Sequence, residues 1–145
     1  MNAPLEKTAW VKCSMHHAFN VFTARVDLWW PKSHRRNEGG RMVLEAKEGG
    51  RFLERSPEGE AAILGEVIHC DPPDRITYTW YPGSDIGPTE VDVRFLAENG
   101  GTRVNITHVE GKSQLGTEWP NRVKRFDRAW TTVLPAFLEA AEAGE

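Results

Sequence analysis

The sequence has little cysteine and no long apolar run. Its 145 residues include two cysteines, Cys13 and Cys70. Two are too few for a disulfide framework and fit a reducing compartment in which both thiols stay reduced. The first ten residues contain no apolar signal segment, and no apolar stretch approaches the length of a membrane span. We therefore expect a cytoplasmic protein that does not insert into a membrane.

A strong excess of charge is also missing. The formal net charge is −3, whereas proteins built to bind nucleic acid usually carry a clear positive excess. No phosphate-binding glycine loop, zincin signature or nucleophile elbow is present. The spacing Cys13-x-x-His16 has no second pair of ligands to complete a metal site. We expect no nucleic-acid partner, no metal and no cofactor.

The composition that is present fits a globular protein. Hydrophobic residues make up 39% of the chain and charged residues 27%, which is typical of a folded domain. The length suits one core, so we expect a single domain over residues 1–145. Six tryptophans are many for this length, and large aromatic side chains either fill cores or line ligand pockets.

Apolar periodicity predicts an α+β fold. A strand within residues 5–13 is followed by a helix that Ser14 caps and by a second short helix that ends at Pro31. Alternating residues predict six further strands, at 41–48, 51–56, 61–70, 75–81, 89–98 and 102–110. The chain closes with a long amphipathic helix whose apolar stripe is Val123, Phe126, Trp130, Val133 and Phe137.

Several segments in this order resemble one known family. They are "VKCSMHHAFNVFT…DLWWPKSH", "GGRFLER", "GEVIHCDPPDRITYTWYPG", "TEVDVRFLAENGGTRVNITH" and "RFDRAWTTVL". They are similar to the heat-shock-protein-90 ATPase activator-like family of the START-like (SRPBCC, polyketide cyclase) superfamily. The resemblance implies a helix-grip fold. In that fold a curved antiparallel sheet of about seven strands surrounds a long C-terminal helix, and two short helices follow the first strand.

The resemblance also implies a range of functions. Members of the superfamily bind lipids, hormones or polyketides, or catalyse cyclisation and hydrolysis. We expect a small hydrophobic or amphipathic ligand bound in a cavity between the sheet and the last helix. The alternatives are a cyclase or hydrolase, and a chaperone-activator-like module that binds a protein partner. We expect a monomer or a homodimer.

Two polar residues are candidate catalytic groups. His108 ends an apolar strand face, and an imidazole that titrates near neutrality suits proton transfer. The alternative is a histidine whose hydrogen bonds are satisfied within the core. Glu54 shares strand parity with Phe52, so a buried carboxylate could act as a general base. Its alternative role is a strand-end residue paired with an arginine at a wet rim.

The aromatic residues are candidates for ligand contact, with core packing as the alternative role. The predicted ligand-binding residues are Phe22, Trp29, Trp30, Phe52, Tyr78, Trp80, Phe95, Phe126 and Trp130. Trp29 and Trp30 are adjacent and cannot share one face of an element. The resemblance implies that one indole lines the cavity while the other packs beneath the last helix.

One basic cluster follows the paired tryptophans. It contains Lys32, His34, Arg35 and Arg36. Its positive charge could meet the anionic head of a ligand or an acidic partner. A solvated loop is the simpler interpretation.

Overall fold

A curved antiparallel sheet of seven strands forms the body of the structure, a computed structural model that describes residues 3–80, 88–111 and 118–144. The strands are β1 (Leu5–Val11), β2 (Arg41–Leu44), β3 (Arg51–Arg55), β4 (Ala61–Asp71), β5 (Arg75–Trp80), β6 (Thr89–Glu98) and β7 (Gly101–Val109). Their order across the sheet is β1-β7-β6-β5-β4-β3-β2, and every neighbouring pair is antiparallel. Each predicted strand is confirmed, although Tyr81 at the end of the fourth predicted segment lies outside the described residues.

Three α-helices lie where the sequence predicts them, and a short 3₁₀ helix that the sequence does not predict follows the second of them. They are α1 (Met15–Phe22), α2 (Val26–Trp29), a short 3₁₀ helix (Lys32–His34) and α3 (Trp119–Ala143). The Ser14 hydroxyl caps α1 by accepting a hydrogen bond from the backbone N–H of His17 at 3.1 Å. The long helix α3 packs against α1, α2 and β1. This arrangement confirms the predicted helix-grip fold.

Strand alternation buries one face of the sheet. In the register between β5 and β6, Ile76 lies opposite Val93 and Tyr78 opposite Val91. Between β6 and β7, Val91 in turn lies opposite His108. These side chains are all buried, and the alternating polar residues point to the other face. A polar side chain on the inner face, such as His108, is therefore buried and needs hydrogen-bond partners in the interior.

The sheet bends where the ladder is irregular. Register shifts occur between Phe52 and Leu53 and between Val67 and His69. Gly65 lies between these shifts, and a Cβ atom at this position would collide with the backbone of Thr79. Irregular pairing and close backbone approach strengthen the local bend of a sheet.

Candidate functional site

A pocket of about 280 Å³ lies between the inner face of the sheet and α3. This volume is just below the usual range for small-molecule sites, about 300–1,000 Å³. Seven of the predicted site residues line it, namely Trp30, Glu54, Tyr78, Trp80, His108, Phe126 and Trp130. Side chains from β3, β5, β7, α3 and the end of α2 therefore meet at one place, although the sequence separates them widely.

His108 lies in this pocket at the centre of a hydrogen-bonded chain. The Trp130 indole N–H lies 3.2 Å from Nδ1 of His108, and the Thr89 hydroxyl lies 2.8 Å from its Nε2. The same hydroxyl donates to the backbone carbonyl of Trp80 at 2.9 Å. An indole nitrogen can only donate, so Nδ1 must be the acceptor. Nε2 then carries the proton and donates it to Thr89, so each polar atom in the chain has a partner.

The surroundings of His108 keep its ring neutral. The residue is 2% exposed, and the Phe126 ring stacks on it at 4.3 Å between centroids. Burial disfavours the charged imidazolium and lowers the pKa of His108 to about 4. A neutral ring with both nitrogens engaged has no free atom for accepting a proton from a ligand. The alternative of a histidine satisfied within the core is the one this geometry favours.

Glu54 is buried at the opposite wall of the pocket. The residue is 1% exposed, and its carboxylate accepts the backbone N–H groups of Arg36 and Asn37, each at 2.7 Å. The side-chain amide of Asn37 adds a third donor at 3.1 Å. An ionised carboxylate is an acceptor only, so three N–H donors satisfy it well. Glu54 therefore anchors the loop before β2, and its oxygens are already occupied.

Tyr78 differs from these two residues because its hydroxyl has no partner among the residues that the structure describes. It is 1% exposed, and no described residue forms a hydrogen bond with its hydroxyl. Burial raises the pKa of Tyr78 well above its usual range, so the phenol stays protonated. Buried polar groups without a partner are rare and call for an explanation. The wall of the pocket thus contains one unused hydrogen-bonding group.

The paired tryptophans separate into two environments. Trp30 lines the pocket and contacts Trp80, with 5.8 Å between ring centroids. Trp29 instead packs against Phe137 of α3 at 5.3 Å, and its indole N–H donates to the carbonyl of Val21 at 2.7 Å. This placement agrees with the one that the family resemblance implies. Four predicted ligand-binding residues lie in the buried core away from the lining, namely Phe22, Trp29, Phe52 and Phe95.

The basic cluster also divides. The Arg35 guanidinium forms hydrogen bonds within the protein. It donates to the carboxylate of Asp27 and to the carbonyl of Gly40 at 2.7 Å, and to the carbonyl of Trp30 at 2.8 Å. His34 and Arg36 instead line the pocket with exposed side chains. A buttressed loop therefore presents two basic groups at the mouth of the pocket.

Sequence reasoning missed several residues of the lining. One of them is Arg125 of α3, which lies at the opening of the pocket. The others are Leu64, Val91, Ala129 and Val133. Arg125, Ala129 and Val133 are spaced by four residues, so they form a row beside the predicted apolar stripe. That spacing places Arg125 on the same face of α3 as two lining residues. The sequence alone gave no reason to select it, because an exposed arginine on a helix is ordinarily solvated.

Comparison with protein families identifies the chain. The family described as Activator of Hsp90 ATPase homolog 1-like protein matches residues 12–142. The chain belongs to this family. No curated protein matches the sequence.

Solved structures extend the family relationship. CalC, a self-sacrificing resistance protein of Micromonospora echinospora, is 26% identical with a TM-score of 0.73, and the match covers 97% of this chain and 94% of CalC. Txn09, an anthrahydroquino-γ-pyrone synthase, is 30% identical with a TM-score of 0.53, covering 77% of this chain and 80% of Txn09. A Rhodobacter sphaeroides protein shares the fold at 21% identity and a TM-score of 0.72, covering 98% and 93% of the two chains.

Two further features bear on the chemistry that this family member can carry. Within the described ranges, no three histidine, cysteine, aspartate or glutamate side chains come together as a set of metal ligands. None of the helices in those ranges has the length and apolar content needed to cross a bilayer.

Proposed function

We propose that the protein binds a small, largely aromatic ligand in the pocket between the sheet and α3. The observation that carries this proposal is the Tyr78 hydroxyl, which is buried in the pocket wall without a partner among the described residues. An unmade hydrogen bond of this kind costs about 1–3 kcal/mol. A ligand that presents a carbonyl oxygen to Tyr78 would recover that loss when it binds.

The aromatic lining supports the same proposal. Three of the six tryptophans, Trp30, Trp80 and Trp130, line the pocket. Flat indole and phenyl faces suit a flat, polarisable ligand, for which they provide large contact area with little loss of side-chain entropy. The name of the 30% identical relative Txn09, a synthase of a fused aromatic pyrone, points to the same class of molecule.

The enzyme alternative has less support. An acid–base step needs a group that can change its protonation state near the ligand. The imidazole of His108 is engaged through both nitrogens, and the carboxylate of Glu54 is held by three N–H donors. The alternative of a partner-binding module rests on the family description alone. We propose further that the protein is a single cytoplasmic domain, monomeric or homodimeric.

The proposal can be tested with acetylnaphthalene, a neutral aromatic ketone. We expect saturable binding with one molecule per chain, followed by calorimetry and by quenching of tryptophan fluorescence. Ala129→Phe fills the pocket from α3 and should weaken binding at least tenfold. Ala143→Phe makes the same change at an exposed position near the end of α3 and should leave binding intact. Equal affinity in the two variants, or no binding by the unaltered protein, would contradict the proposal.

The role of Tyr78 has its own test with the same reagents. Ethylnaphthalene has nearly the shape of acetylnaphthalene but cannot accept a hydrogen bond. The unaltered protein should prefer the ketone by about threefold to tenfold, the usual worth of one net hydrogen bond. Tyr78→Phe should abolish that preference while ethylnaphthalene binds as before. A preference that survives in Tyr78→Phe would show that the ketone is recognised elsewhere.

A further inference from the structure

The mouth of the pocket carries positive charge from two separate elements. Arg36 comes from the loop between the 3₁₀ helix and β2, and Arg125 comes from α3. His34 lies beside them on the same lining. All three side chains are exposed. Because the loop and the helix are remote in sequence, their convergence on one opening is a property of the fold and not of a local run of basic residues.

Within the described ranges, these two arginines have no acidic partner. Elsewhere in the chain, Arg35 pairs with Asp27, Arg75 and Arg94 with Asp92, and Arg103 with Glu98. No described residue forms an ion pair or a side-chain hydrogen bond with Arg36 or Arg125. A guanidinium presents a planar array of donors that matches a carboxylate. The mouth thus holds two such arrays that the protein itself does not use.

The single carboxylate of the lining does not cancel this charge. Glu54 is buried, and its oxygens already accept three N–H groups from the loop that carries Arg36. The other titratable groups deeper in the pocket, His108 and Tyr78, are uncharged. Two guanidinium groups therefore face one carboxylate, and the net charge at the pocket is positive. An apolar wall beside the charges reduces screening by water and strengthens their effect on a bound anion.

We propose that the natural ligand of the pocket is an aromatic acid, with its rings among the indoles and its anionic group between Arg36 and Arg125. This inference rests on the proposed function and adds the charge and orientation of the ligand. The apolar body lies among the aromatic and aliphatic side chains that form most of the lining, beside the Tyr78 hydroxyl. The anion remains at the opening, where it keeps part of its hydration and avoids the cost of full burial.

A matched pair of probes tests the charge directly. Naphthoic acid is anionic at neutral pH, and naphthamide has nearly the same shape without the charge. We expect the unaltered protein to bind the acid about tenfold more tightly than the amide, as measured by calorimetry at low salt. Added salt should weaken binding of the acid and leave binding of the amide unchanged, because salt screens exposed charges.

Two double variants locate the effect. Arg36→Gln/Arg125→Gln should bring the affinity for the acid down to that for the amide. Arg41→Gln/Arg128→Gln removes the same net charge from exposed positions of β2 and α3 outside the pocket lining and should keep most of the preference. This control separates a local contact from the general attraction of a more positive protein.

The outcomes distinguish the two proposals. If the amide binds as tightly as the acid, the ligand class inferred here is wrong and the aromatic pocket stands. The same holds if the two double variants behave alike. If neither probe binds and acetylnaphthalene also fails to bind, the proposed function and this inference both fall.

Discussion

The space between the sheet and α3 has two ends that differ in how completely they are filled. At the closed end, the rings of Phe19, Phe22, Trp29, Phe95 and Phe137 interlock, with centroids 5.2–6.0 Å apart. At the pocket end, the rings of Trp30, Tyr78, Trp80, Phe126 and Trp130 surround a void. The two ends share one helix and one sheet but have different packing.

Polar groups show the same contrast. At the closed end the Trp29 indole and the Thr23 hydroxyl both donate to backbone carbonyls, at 2.7 and 2.8 Å. At the pocket end the Tyr78 hydroxyl has no described partner, and two arginines at the mouth have no acidic one. Close packing with satisfied polar groups stabilises a fold, whereas sites that bind ligands keep groups in reserve. We infer that the closed end contributes most of the stability of the fold. The fold can therefore tolerate a void and unsatisfied polar groups at the pocket end.

The largest expected effect comes from opening the closed end. Phe137 is fully buried against Phe22 and Trp29, so Phe137→Ala should lower the free energy of unfolding by about 3–5 kcal/mol. Phe126→Ala makes the same change at the half-buried pocket end and should cost about 1–2 kcal/mol. Urea denaturation of the two variants measures the difference. Equal losses would show that the two ends do not differ in packing.

Acidification should produce a smaller effect, and His108 should account for the part of it that arises at the pocket end. The pKa of His108 is lowered to about 4 in the folded protein, while it is about 6.5 in an unfolded chain. The unfolded state therefore binds the extra proton first. Above about pH 6.5, protonation of His108 does not lower the free energy of unfolding. Below that pH the free energy of unfolding decreases, by about 3 kcal/mol in all as the pH drops to 4.

The comparison for this prediction is His108→Gln, whose side chain does not titrate. Between pH 6.5 and pH 4.5 the unaltered protein should lose stability more steeply than the variant, by about 1.4 kcal/mol per pH unit. Urea midpoints across this range measure both slopes. Parallel slopes would mean that His108 can take up a proton in the folded state at little cost.

The smallest expected effect is an increase in the free energy of unfolding. Tyr78→Phe removes a buried hydroxyl for which no described residue is a partner, and it should raise the free energy of unfolding of the ligand-free protein by about 1 kcal/mol. Thr89→Val also removes a buried hydroxyl, but this one bonds to His108 and to the Trp80 carbonyl. That variant should lose about 1–2 kcal/mol. A loss in Tyr78→Phe would reveal a protein partner for the phenol.

The buried faces of the strands and helices were easier to foresee from the sequence than the polar contacts of the pocket end. Alternation on the strands and the stripe of α3 predicted which faces are buried, because the positions along one element have a fixed period. The chain from Trp130 through His108 to Thr89 joins three elements, and no period links them. The loop contacts of Glu54 are of the same kind, since backbone donors have no signature in the sequence.

The basic cluster could be predicted only in part. Its four residues are visible in the sequence, but the sequence does not show which of them bond within the protein and which face the pocket. Arg35 is buttressed by Asp27, which lies eight residues earlier on α2, whereas Arg36 points to the pocket with Arg125. Such a division depends on tertiary contacts, which a single sequence does not reveal.

The anchoring of the mouth by Glu54 has a consequence for how the family can diversify. Glu54 holds the backbone N–H groups of residues 36 and 37, and the first of these is present for every residue at position 36 except proline. Selection can therefore exchange that side chain without loosening the loop on which it sits. Substitutions at position 36, in a paralogue or a designed variant, can therefore change ligand specificity while the fold stays the same.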